Sequence, residues 1–260
     1  MSRLTLFQQL HQDVSNCTRC SRLRDYCTDV AREKRRAFAE WDYWGKPVAG
    51  FGDPDARVWI VGLAPGAHGA NRTGRVFTGD RSGDFLFAAL HRVGLANQPT
   101  STSRDDGLLL RDCYISAAAR CAPPGNKPTP EELSSCSVFL DREWELLSKK
   151  RVILALGKIA WDASLVLARR NDFDVPKPAP DFGHGASFAL SDSLELVGSY
   201  HVSQQNTFTG KLTERMFDAV LRSCIDRAAD VRTIRRPKGR AALRSGAGAP
   251  SRRAARGRSA

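Results

Sequence analysis

The sequence predicts a three-layer α/β fold in which helices cover both faces of a four-stranded parallel sheet. Two features of the pattern predict it. Short apolar runs rich in β-branched residues alternate with longer stretches of helical periodicity, the signature of strand–helix–strand units. The runs are apolar throughout rather than at every second position, so each strand is expected to be buried on both faces. A chain of 260 residues is long enough to bury one such core.

Taken in order, Leu4, Leu6, Phe7, Leu10 and Val14 suit one face of a short amphipathic helix. Arg57–Leu63 has the length and β-branched content of a buried strand, and a helical pattern follows at about 83–94. Cys113–Ala118 is the second strand. A well-marked helix over about 130–148 comes next, because Thr129-Pro-Glu-Glu132 supplies an N-cap, a proline at the first helical position and a capping-box glutamate. Arg151–Leu156 is the third strand, followed by a helix near 157–169. Asn171–Ser187, rich in Pro, Gly and Asp, reads as a long loop. Leu194–Val197 is the fourth strand and 212–228 the last helix. No internal repeat is visible.

Charge is unevenly placed. The formal net charge is +12, and residues 231–260 hold ten Arg or Lys and no Asp or Glu, leaving +2 for residues 1–230. That stretch has few large apolar residues, so 229–260 is expected to be a disordered basic tail behind a folded domain of residues 1–228. Such an arm suits contact with nucleic-acid phosphates. A solubilising extension with no mechanistic role accounts for its composition equally well. No apolar run approaches the length of a membrane span, and the opening MSRLTLFQQLHQDVS lacks a signal-peptide core. A cytoplasmic protein without membrane association is expected. In that reducing compartment its seven cysteines favour metal or cluster ligation over disulfides.

The most informative segment is Val61–Asp80, VGLAPGAHGANRTGRVFTGD. It leaves the end of a buried strand, where open α/β sheets bind ligands, and the next helical pattern begins only at about Ser82. Its glycines let backbone approach a flat substrate closely. Phe77 offers a stacking face and Asp80 a charge. A structural strand-to-helix turn is the plainer reading, and only the specific order of residues outweighs it.

Cys17 and Cys20 form a C-x2-C pair, and Cys121 and Cys136 lie about a hundred residues on with fourteen residues between them. Four thiolates can hold either zinc or an iron–sulfur cluster, and spacing alone does not choose. Cys27, Cys113 and Cys224 are left as ordinary buried thiols.

Four segments together carry a resemblance: CTRC at Cys17–Cys20, GLAPGAHGANRTGRVFTGD at Gly62–Asp80, YISAAARCAPPGN at Tyr114–Asn126, and HVSQQNTFTG at His201–Gly210. Over about residues 4–225 the chain closely resembles the uracil-DNA glycosylase superfamily, and within it the family 5 (type b) enzymes. The resemblance implies a parallel sheet between helices, and a [4Fe–4S] cluster on Cys17, Cys20, Cys121 and Cys136. It implies a monofunctional glycosylase acting on uracil in double-stranded DNA, and a monomer is expected. A nucleoid-associated bacterial-type enzyme follows from that partner.

The implied chemistry accounts for the residue types. A base inside a duplex is flipped into a pocket before its bond to the sugar is broken. Departure of the base leaves an oxocarbenium-like sugar and an anionic base. The resemblance makes His201 the donor to the base and Phe77 the stacking face. Without the motif, His201 reads as a structural histidine and Phe77 as core. Gly62, Ala64, Pro65 and Gly66 form the early part of the pocket loop, with His68 and Asn71 as further pocket candidates.

Better-known glycosylase families keep a polar water-positioning residue early in this motif, whereas Gly62–Ala67 has none. Asp80 is the nearest carboxylate and is assigned water activation or support of the sugar cation; a helix cap just ahead of Ser82 is the plainer role. The related family 4 pattern also has an Asn where this chain has Ala117, leaving Asn126 as the candidate to read the base edge. A pocket without that amide should discriminate less sharply and accept hypoxanthine and other deaminated bases.

A non-catalytic, metal-stabilised nucleic-acid-binding protein would also suit the tail and the cysteine pairs, but it would not need the His201 motif. A strand-nicking glycosylase needs a lysine nucleophile, and only Lys127 and Lys211 lie at the motif margins.

Overall fold

The computed structural model describes residues 2–230, so the expected basic tail lies outside the described residues except for 229 and 230, and Ala229 still belongs to the last helix. The chain runs α1 (Arg3–Ser15), α2 (Ser21–Glu33), β1 (Phe51–Gly52), β2 (Val58–Gly62), α3 (Ala70–Thr73), α4 (Arg81–Arg92), β3 (Cys113–Ala117) and α5 (Pro130–Leu146). It continues through β4 (Val152–Leu156), α6 (Lys158–Arg170), β5 (Ser187–Ala189), β6 (Glu195–Ser199), α7 (Gln204–Phe208) and α8 (Glu214–Ala229).

The sheet corrects the expectation of four parallel strands. It has six strands in the order β1-β3-β2-β4-β6-β5 and is mixed. β3, β2, β4 and β6 run parallel, and β1 and β5 join antiparallel at the two edges. The added strands have two and three residues, too few for periodicity to show, and both border segments rich in Gly and Pro.

Every residue of β2, β3, β4 and β6 is buried, because helices cover both faces. On one face Val58, Ile60, Ile115, Leu154 and Val197 belong to a core with Leu86, Phe87 and Leu90 of α4 and Phe217 and Leu221 of α8. On the other, Trp59, Val61, Ile153, Ala155 and Leu196 pack with Leu140 and Trp144 of α5 and Trp161 and Leu165 of α6. Each large side chain buried this way contributes roughly 1.5–3 kcal/mol.

The expected capping box is formed: Thr129 Oγ1 accepts from Glu132 N at 3.3 Å, and Glu132 Oε2 accepts from Thr129 N at 2.8 Å. α2 is a further finding. It buries only Leu23, Cys27 and Val30 among mostly polar residues, so its apolar stripe is narrow. Arg22 ties it to α5 through two 2.7 Å bonds to Glu132.

The helices that follow β2 and β4, neighbours in the sheet, pack on opposite faces. Ligands of open α/β sheets bind at the carboxyl ends of two such strands.

Candidate active site and cysteine centre

The loop that leaves β2 at Gly62 is held by buried arginines. Arg72 donates to His68 O (Nε, 2.8 Å) and to Gly79 O (Nη2, 2.7 Å). Its guanidinium carbon lies 3.9 Å from the Phe38 ring centre and 4.1 Å from that of Trp41. Arg75 reaches Thr78 Oγ1 (2.9 Å), Ser101 Oγ (3.0 Å) and Asp106 Oδ2 (2.7 Å). A loop of small residues is thereby fixed in one shape before any ligand arrives, which is what a preorganised site requires.

That shape places Phe77 and Asp80. Phe77 has a left-handed backbone (φ 51°), a strained conformation for a residue with a Cβ and one that recurs at functional sites. Its ring covers Gly62, where a Cβ would come 2.7 Å from Phe77 Cζ. Asp80 caps α4, with Oδ1 accepting from Gly83 N at 3.0 Å. Its other oxygen, Oδ2, faces the backbone of Gly66 and Gly69, and a Cβ on Gly66 would stand 2.7 Å from it. Burial raises the Asp80 carboxyl above its ordinary value and Asp84 adds to this; the Gly83 and Ser82 N–H groups and Arg72 oppose it.

His201 follows β6. Its carbonyl accepts from Asn206 Nδ2 at 2.8 Å, and left-handed Gly157 (φ 95°) lets the loop after β4 pass close by: a Cβ there would lie 3.4 Å from His201 Cβ. Burial lowers the His201 pKa from 6.5, so the ring is neutral at pH 7 and keeps one N–H donor. The Phe77 and His201 rings stand 6.2 Å apart at 37°. The two residues, over a hundred positions apart in sequence, thus meet at one edge of the sheet.

Other candidates are placed unequally. Pro65 is buried, and Ala64 and Gly66 are half-buried. His68 Nδ1 pairs with Tyr43 Oη at 3.1 Å. Asn71 is buried, with Nδ2 on the carbonyls of Cys27 (3.2 Å) and Ala67 (3.4 Å), so it joins α2 to the loop. Asn126 is exposed on the turn Pro124–Asn126, and its side chain bonds to no described residue. Ala117 is buried and pairs in register with Gly62.

Sequence reasoning missed Tyr43, Arg72 and His184. Arg72 stands out as a cation in a run of small residues. Tyr43 carries no such signal. His184 stacks on Tyr200 (5.1 Å, 29°) and its Nδ1 accepts from Tyr200 N at 3.3 Å, supporting the residue before His201.

The four paired cysteines line one small cavity, together with Arg24 and Arg120. Cys17 follows α1, Cys20 caps α2, Cys121 follows β3 and Cys136 lies on α5. Among the described residues no three His, Cys, Asp or Glu side chains are grouped to hold a single metal ion. Burial pushes the Cys136 thiol up to about 12. Three buried N–H positions, Arg24 Nη1 and Arg120 Nε and Nη1, find no partner among the described residues. Cys113 and Cys224 are buried in the sheet core, away from this cavity, and Cys27 packs beside Cys121.

Residues 49–224 match the family described as the uracil DNA glycosylase superfamily. The chain is 52% identical over 215 residues to the type-5 uracil-DNA glycosylase of Mycobacterium tuberculosis, covering 82% of this chain and 79% of that one. It is 50% identical over 210 residues to the type-5 uracil-DNA glycosylase of Thermus thermophilus, covering 81% and 93%. A type-4 uracil-DNA glycosylase of Thermotoga maritima is 37% identical over 114 residues, covering 44% and 51%.

Proposed function

The chain belongs to the uracil DNA glycosylase superfamily, and on that premise we propose that it hydrolyses the N-glycosidic bond of uracil in DNA, leaving an abasic site. The observation that carries this reading is the meeting of Phe77 and His201 at the sheet edge, with the half-buried Asp80 on the same loop.

The base is flipped from the stack and its ring lies on Phe77, where flatness rather than identity is recognised. Neutral His201 donates its N–H to a base oxygen as negative charge develops there. Asp80 faces the sugar side, where its ionised carboxylate supports the oxocarbenium charge and orients the attacking water. Capping α4 with Oδ1 leaves Oδ2 for that task.

The pocket reads bases loosely. Ala117 offers no amide at the end of β3, and Gly62–Ala67 offers no polar side chain, so two means of rejecting other bases are missing. Hypoxanthine and other deaminated bases in duplex DNA are therefore substrates as well. Abasic-site formation on duplexes that each carry one such base tests both statements.

The cysteine centre holds a [4Fe–4S] cluster on Cys17, Cys20, Cys121 and Cys136. Four thiols round one cavity match in number the ligand set of such a cluster. The unpartnered guanidinium N–H groups beside them suit an anionic occupant. Its role is structural, pinning α1 and α2 against the segment after β3 and against α5. Among the described residues no helix is long and apolar enough to cross a membrane.

A further inference from the structure

We propose that Arg24 and Arg120 form a cationic cradle for the cluster, Arg24 supplying an uncompensated charge and Arg120 supplying N–H donors to its sulfur atoms. The proposal rests on the cluster reading above.

A cubane with four thiolate ligands is a net anion, and its stability and potential depend on the charge and hydrogen bonds around its sulfurs. Burying an anion without compensation is strongly unfavourable. Three arginines line the cavity. Arg19 is exposed, so water screens its charge; it donates to Ser135 O at 3.2 Å and lies 5.6 Å from the Phe139 ring centre.

Arg120 is 1% exposed and is anchored by Glu143, Nη2 to Oε2 at 2.5 Å. Tyr114 Oη donates to the other Glu143 oxygen at 3.5 Å, which fixes the carboxylate. Glu143 thus balances the charge of Arg120 but uses only one arm of its fork. Nε and Nη1 remain buried and unpartnered, while the Arg120 backbone N–H donates to Cys136 Sγ at 3.2 Å. A guanidinium held by a carboxylate on one arm thus keeps buried donors for which the described residues supply no acceptor.

Arg24 differs. Its Nη2 donates to Gly45 O at 3.1 Å, and no carboxylate pairs with it among the described residues. Its Nη1 is buried and unpartnered, and the guanidinium lies within reach of the Cys121 thiol. Its charge is therefore available to the cluster.

The test uses the full chain purified without oxygen. Iron in the parent protein is measured first, and its absence overturns the cluster reading before any variant is made. In iron-loaded protein, Arg24→Met should release iron to a chelator on the order of tenfold faster, the usual scale for losing an outer partner of a metal ligand. Its reduction potential should move to more negative values, because adding an electron to an anion is harder without the cation. Arg24→Lys should behave like the parent. Arg120→Lys keeps a partner for Glu143 but loses the fork, and should also release iron faster. Parent release rate and potential in Arg24→Met, or equal defects in Arg24→Met and Arg24→Lys, would overturn the proposal.

Discussion

Gly69 stands so close to Asp80 that a Cβ at position 69 would overlap the carboxylate oxygen Oδ2. That contact reserves position 69 for glycine. Gly69→Ala should therefore displace Asp80 without unfolding the chain. A misplacement of about 1 Å in a catalytic group can cost on the order of a hundredfold, and single-turnover cleavage of a uracil duplex should fall by that amount. A Gly69→Ala protein with the parent rate would mean that Oδ2 is not at the reacting centre.

Replacing the two reacting side chains should give separable losses. His201→Ala removes the donor facing the leaving base and should slow cleavage on the order of a hundredfold or more. Asp80→Asn keeps an N-cap of equal quality, so the helix stays in place while turnover falls and DNA affinity changes little. Full activity in both variants would remove Asp80 and His201 from the mechanism.

Asp80 also makes a pH prediction. Its burial raises its folded-state pKa above the ordinary carboxylate value, so activity should fall with decreasing pH at a higher pH than an exposed aspartate would give. The same shift costs stability. An acid with a raised folded pKa is most compatible with folding when protonated, below its unfolded pKa, and loses that as pH rises through the folded value. Asp80→Asn should then be more stable than the parent at pH 7, with the difference vanishing in acid. Thermal melts of both proteins across pH check this, and a lower melting temperature for Asp80→Asn at neutral pH would contradict it.

Much of this was legible in the sequence for physical reasons. β2, β3, β4 and β6 were found because strands covered on both faces are apolar at every position. α5 was found because its cap is spelled out at Thr129-Pro-Glu-Glu132. α2 was not, since three buried residues in thirteen leave little periodicity. Asp80 and Phe77 could be chosen from their motif, but the left-handed backbone of Phe77 and the contact of Gly66 and Gly69 with Asp80 depend on how the loop closes. Tyr43 and His68 meet across 25 residues with no pattern linking them. Arg120 gave no signal either, because its importance lies in two nitrogens left without partners.

The cysteines should divide by position. Cys17→Ala or Cys136→Ala should remove the visible absorption of the anaerobic protein and lower its melting temperature, because each thiol lines the cavity where α1, α2 and α5 meet. Cys224→Ala, in the sheet core far from that cavity, should retain iron at the parent level. Zinc in place of iron in the anaerobic protein would overturn the cluster assignment while leaving the same four ligands.

The final prediction concerns base choice. Ala117 ends β3 opposite Gly62, the residue under the Phe77 ring, so its side-chain position borders the stacking site. An amide there could pair with a base edge and leave an unpaired buried group against any base that fails to match, the basis of sharp discrimination. Without it, stacking on Phe77 and one N–H from His201 admit any flat ring with an acceptor oxygen near the scissile bond. The parent should therefore cleave hypoxanthine as well as uracil, faster in mispaired sites where unstacking costs less. Ala117→Asn should reduce hypoxanthine cleavage more than uracil cleavage, by about tenfold or more if the new amide contributes one good hydrogen bond of about 1.5 kcal/mol. The ratio of the two rates on matched duplexes is the measurement. Equal losses on both bases would mean that position 117 only shapes the core, and strong uracil cleavage with none on any other deaminated base in the parent would remove the case for a permissive pocket.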